Sequence, residues 1–141
     1  MQQSSFQKAQ RQYLAAVRLR PNWAEAHANL ANAHSQLGGN DEAARHYLIA
    51  VQIDPQLLPA HFNLGVIRLQ QRDNTAAVAH LEATVEMNPK FSEGYHYLGI
   101  ALARLGNTRE SARHLTTAVR LDPANAAAQR NLETVLAGRT P

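Results

Sequence analysis

The apolar positions of this chain repeat on two scales. Locally they stand three and four residues apart, as Phe6, Ala9, Tyr13, Ala16 and Val17 do. That spacing is one face of an α-helix. At longer range the same order of large and small residues returns every 34 residues. Leu30, Leu64, Leu98 and Leu132 form one column, and Val17, Val51, Val85 and Val119 another. Tyr13, Tyr47, Leu81 and Leu115 keep a large residue in step. Ala9, Ala43, Ala77 and Ser111 keep a small one, as do Ala16, Ala50, Thr84 and Ala118. Ala31, Gly65 and Gly99 stay small beside the leucine column, and Pro21, Pro55, Pro89 and Pro123 mark each period. A fixed period of this length is the mark of stacked repeats.

Each predicted helix is about a dozen residues long, too short to be stable alone in water. Each must therefore bury its stripe on the next, and the stack shares one core. The period divides the chain into a lone second helix at 1–23, helix pairs at 24–57, 58–91 and 92–125, and a capping helix with a tail at 126–141. The prediction is an all-α solenoid of antiparallel helix pairs. Ser4 or Ser5 is expected to cap the first helix. Asp54-Pro55, Asn88-Pro89 and Asp122-Pro123 suit helix N-caps followed by proline at the first helical position. Gly38-Gly39 and Gly106 suit turns that need positive φ, and Arg72 stands where its neighbours carry glycine. Gly65→Leu is expected to overpack a helix contact and cost about 1–3 kcal/mol. Glu133 interrupts the small-residue column, so no further repeat is expected to pack on the last helix. The chain opens inside a repeat, as an excised fragment of a longer one would.

These columns resemble the tetratricopeptide repeat, whose pattern is W-x2-L-G-x2-Y, then A-x3-F, then P. The third pair reads Tyr95-x2-Leu98-Gly99-x2-Leu102, then Ser111-x3-Leu115, then Pro123. The first reads His27-x2-Leu30-Ala31-x2-His34, then Ala43-x3-Tyr47, then Pro55. The second departs from it with Arg68 at the aromatic position. The resemblance covers nearly the whole chain. It implies a right-handed superhelix whose first helices line a concave groove, and a partner that lies in that groove.

On the resemblance, the groove face includes Asn29, Asn32, Phe62, Asn63, Val66, Leu69, His96, Tyr97, Ile100, Arg104 and Asn131. Asn29, Asn63 and Asn131 share one column, broken by Tyr97. An amide both donates and accepts, so such a ladder could hold the backbone of an extended peptide. It resembles the asparagine ladder in the superhelix of O-GlcNAc transferases. Asparagine at these positions can equally bond its own helix. Phe62, Val66 and Leu69 stand at i, i+4 and i+7, continued by Ile100, off the packing face. An exposed apolar strip of this kind marks a binding site, unless neighbouring helices or a partner copy cover it. An extended peptide with one or two apolar anchors, or an amphipathic helix, would fit. Asn32 and Asn63 also match two positions of the basic clamp with which some family members hold chaperone C-termini. The basic positions of that clamp hold Ala28, Glu93 and Tyr97 instead, which argues against it.

The chain has 141 residues, no cysteine and a formal net charge of +3. Disulfides and thiolate metal sites are thereby excluded. No apolar run approaches the ~18 residues of a membrane span, and the compartment stays open, with the cytoplasm as default. Residues 1–23 and 104–141 carry the excess basic charge, and the middle is acidic. No arginine cluster comes with stacking aromatics, so nucleic acid is not an expected partner. His46, His80 and His114 share a column but sit one repeat apart. Helix axes ~8–10 Å apart cannot bring such a column to one zinc ion. His27, His34 and His61 fall at aromatic positions of the pattern. No HExxH, phosphate loop or cysteine nucleophile occurs, and neither cofactor nor catalysis is expected. The resulting expectation is a protein or peptide partner, bound by a scaffold. The alternative is a substrate-recruiting arm of a larger enzyme, such as a glycosyltransferase. Head-to-tail self-association through the incomplete end repeats is a further expectation.

Overall fold

The computed structural model describes residues 2–141. Among them are eight helices and no strand: α1 (Gln2–Leu19), α2 (Ala24–Gln36), α3 (Asn40–Ile53), α4 (Leu58–Gln70), α5 (Asn74–Met87), α6 (Ser92–Arg104), α7 (Thr108–Leu121) and α8 (Ala126–Leu136). None is long and apolar enough to cross a membrane. The chain divides into two compact units, Met1–Ile67 and Arg68–Pro141.

In the first unit α1 packs on α2 and α2 on α3. Its core gathers Ala31, Ala43, Tyr47, Ala50, Ala60 and Leu64, and a smaller cluster joins Val17 of α1 to Ala26 and Leu30 of α2. In the second unit α5 packs on α6, α6 on α7 and α7 on α8. There Leu81, Leu98, Leu115 and Ala118 are fully buried. The apolar 34-residue columns thus supply the core, whereas the proline column is exposed. Hydrophobic burial on the repeat period, and not helix propensity, holds these short helices.

The turn within each helix pair closes with the same two backbone bonds. Gly38 N–H donates to Ser35 O and Gly39 N–H to His34 O; Gly106 pairs with Ala103 and Asn107 with Leu102. This closure needs a left-handed residue after the helix. Gly38 and Gly106 supply it at φ 83° and 82°, and Arg72 supplies it at φ 62° with bonds Arg72 to Leu69 and Asp73 to Arg68.

Two capping expectations are corrected. Ser4 and Ser5 lie inside α1, which already runs from Gln2, so neither caps it. Asp54, Asn88 and Asp122 do not begin helices; they end α3, α5 and α7 in extended backbone conformation, at φ between −137° and −126°. Each side chain accepts from the backbone N–H two residues on, at 2.9, 3.1 and 3.1 Å. The proline that follows forces this: its ring excludes the helical region from the residue before it. The proline then belongs to the turn, and α4, α6 and α8 start three residues later. True side-chain caps are Asp73 on α5 and Asn125 on α8.

Candidate functional site

Each unit carries part of the candidate surface. In the first unit Asn32 is exposed, and Asn29, Phe62, Asn63 and Val66 are half-buried. Asn32 Oδ1 accepts from the Tyr47 hydroxyl and from Asn63 Nδ2, the latter at 3.4 Å. Tyr47 is a core residue of α3. Burial pushes its phenol up to about 12, and Asn63, as a hydrogen-bond partner, pulls the other way. The amides of Asn32 and Asn63 are therefore held in place by a buried phenol. Phe62 and Val66 stand beside them on α4 at helical spacing.

The second unit carries the rest. Asn131 Nδ2 lies 2.8 Å from His96 Nε2. The amide can only donate, so that imidazole nitrogen is bare. The His96 ring also rests against Tyr97, centroids 5.2 Å apart. Burial lowers the pKa of His96, with Glu93 opposing, which agrees with a neutral ring. Tyr97 and Ile100 are half-buried and Arg104 is exposed. The Arg104 guanidinium donates to the Leu69 carbonyl at 3.2 Å. A cleft of about 560 Å³ opens there, lined by Leu69, Gln70, Arg72, Asn74, Arg104 and the tail residues Thr140 and Pro141.

Two expected surface residues are not open. Leu69 is 4% exposed and His96 8%. Arg104 bonds the backbone carbonyl of Leu69, and His96 is held between Asn131 and Tyr97. The apolar strip is thus shorter than its spacing implies. Leu69 forms the floor of a cleft, and His96 orients its neighbours. The Tyr47 hydroxyl is a contributor that its core position hid. A buried phenol needs a hydrogen-bond partner, and that was the available signal. Among the described residues no three His, Cys, Asp or Glu side chains are placed to hold a metal ion.

Family models described as tetratricopeptide repeat match residues 1–57, 58–91 and 92–125. This chain belongs to the tetratricopeptide repeat family. No curated protein matches it. Among solved structures, a fragment of MamA from Desulfovibrio magneticus RS-1 is similar at a TM-score of 0.89 and 22% identity, over 95% of this chain and 76% of that one. YrrB, described as a TPR protein with an unusual peptide-binding site, is similar at a TM-score of 0.89 and 21% identity, over 96% and 70%. The first TPR of Spaghetti (RPAP3), bound to the HSP90 peptide SRMEEVD, is similar at a TM-score of 0.78 and 20% identity, over 82% and 91%. At these identities the likeness shows the fold, an all-α tetratricopeptide solenoid.

Proposed function

We propose that this chain is a protein-interaction scaffold that takes an extended or helical peptide segment on the faces of its first helices. The observation that carries the reading is the fixed pair of amides, Asn32 and Asn63, anchored by Tyr47. A preorganised amide loses little side-chain freedom when a peptide backbone bonds to it. Phe62 and Val66, half-buried beside the pair, offer apolar contact for one anchor side chain. In the second unit Asn131, held by His96, presents the same chemistry next to Tyr97 and Ile100. Peptide binding by relatives of the same fold supports the class of partner. The repeat boundaries at 24, 58 and 92 are part of this reading, since they make α2, α4, α6 and α8 the first helices that carry the face.

The test is a displayed random-peptide library selected on the full chain. A selected peptide is then mapped by amide chemical-shift changes. The reading expects the largest changes at Asn29, Asn32, Asn63 and Tyr97. Changes confined to α3, α5 and α7 would refute it.

A further inference from the structure

Three histidines of the first unit meet where α1, α2 and α3 pack. His27 Nδ1 and His46 Nδ1 are 3.2 Å apart. His46 stacks on His34 with centroids 5.6 Å apart and 16° between planes, and lies 5.4 Å from the His27 ring. Two outer bonds fix the arrangement: His27 Nε2 to Pro21 O at 2.9 Å, and Gln10 Nε2 of α1 to His34 Nδ1 at 3.2 Å. We propose that this cluster is an acid-released latch that holds α3 to α2 and loosens when the His27–His46 pair takes up a second proton.

The proton positions follow from the partners. A carbonyl only accepts, so His27 carries its proton on Nε2. Its Nδ1 is then bare and takes the proton of His46 Nδ1–H. The Gln10 amide donates to His34, so His34 Nδ1 is bare as well. A neutral cluster satisfies every one of these bonds. One added proton can be absorbed, because a charged His27 can donate from Nδ1 to a His46 that has moved its own proton to Nε2. A second proton leaves two N–H groups facing each other and two like charges in contact.

The surroundings act in the same direction. Burial first, then His27 and His34 on α2 and Arg45 on α3, disfavour charge on His46. The Glu42 carboxylate bonds Arg45 at 2.8 Å and, like His34 Nδ1, borders the space a Gly39 side chain would fill. It can counter a charge on His34 but is already shared with Arg45. From α1 the neutral Gln10 amide reaches His34. A folded-state pKa below the ordinary imidazole value means stability present above pH ~6.5 and lost as pH falls below it. What loosens is the packing of α3 on α2, where Ala43 and Tyr47 cluster with Ala28 and Ala31. Acid would thus uncover an apolar patch on α2 that neutral pH keeps shut.

The test compares the full chain with His46→Asn by amide hydrogen exchange at pH 7.5 and 5.5, corrected for intrinsic rates. The asparagine amide keeps the donor to His27 and takes up no proton. The latch predicts that protection of α3 falls at least tenfold at the lower pH in the parent chain, and much less in the variant. His96 and His114 titrate in both proteins and cancel. Equal loss in both, or no loss in the parent, would overturn the proposal. Should the variant fail to fold, imidazole ¹⁵N titration of the parent chain decides. His46 is expected to charge only below the ordinary imidazole range, and a His46 that charges at or above that range would overturn the proposal.

Discussion

Ser111 Oγ donates a 2.7 Å hydrogen bond to the carbonyl of Gly99, and both residues are buried between α6 and α7. This contact explains why the two columns, one small on the first helix and one small on the second, run together along the sequence. A Cβ built on Gly99 would sit 2.5 Å from Leu115 Cγ, closer than any real contact. Gly99→Ala should therefore destabilise the chain by about 1–3 kcal/mol through overpacking. Ser111→Ala should cost about 1 kcal/mol, the usual net value of a hydrogen bond. Chemical denaturation measures both, and an unchanged midpoint for Gly99→Ala would contradict the packing described.

Arg72 occupies a left-handed position that Gly38 and Gly106 fill elsewhere. An L side chain there costs roughly 1–2 kcal/mol relative to glycine. Arg72→Gly should raise stability by about 1 kcal/mol, because the closing bonds of the turn involve only backbone. The urea midpoint should rise with unchanged slope. A fall would mean that the arginine side chain contributes more than its strain removes.

The Tyr47 phenol gives a pH dependence of defined sign. Its pKa is raised in the folded chain to about 12 from the ordinary 10.0. The proton is held more tightly in the folded state, so this contribution is complete below pH ~10 and is lost as pH rises through the folded value. The difference in stability between the parent chain and Tyr47→Phe should shrink across that window. A constant difference from pH 9 to 12 would contradict the burial argument.

Asn125 Oδ1 accepts from Ala128 N–H at 2.9 Å and caps α8. Asn125→Ala should cost about 1 kcal/mol. Faster hydrogen exchange in α8 than in α6 would localise the effect.

The core was legible because burial and the repeat impose the same period on one set of positions. Leu64, Leu81, Leu98 and Ala118 are columns in the sequence and are fully buried in the structure. The helix ends were less legible because two rules compete at Asp-Pro and Asn-Pro. Proline suits the first turn of a helix, yet it drives its predecessor extended, and the second effect prevailed at Asp54, Asn88 and Asp122. Spacing placed Leu69 with Phe62 and Val66 on one helix face. It could not foresee that Arg104 reaches over the Leu69 carbonyl. The histidines show the reverse error. Reading down the column joined His46 to His80 and His114, whereas its neighbours in space are His27 and His34, seven residues apart on α2. That spacing, two helical turns, was present in the sequence.

The central claim is that the first-helix faces grip a peptide through fixed amides and a short apolar contact. Its most direct test is the dissociation constant of a library-selected peptide for the parent chain, Asn63→Ala, Phe62→Ala and Leu48→Ala, the last an exposed leucine on α3. The account predicts at least tenfold weaker binding for the first two variants, about 1.4 kcal/mol each, and no change for Leu48→Ala. Full affinity in Asn63→Ala and Phe62→Ala, with binding lost in Leu48→Ala, would contradict it.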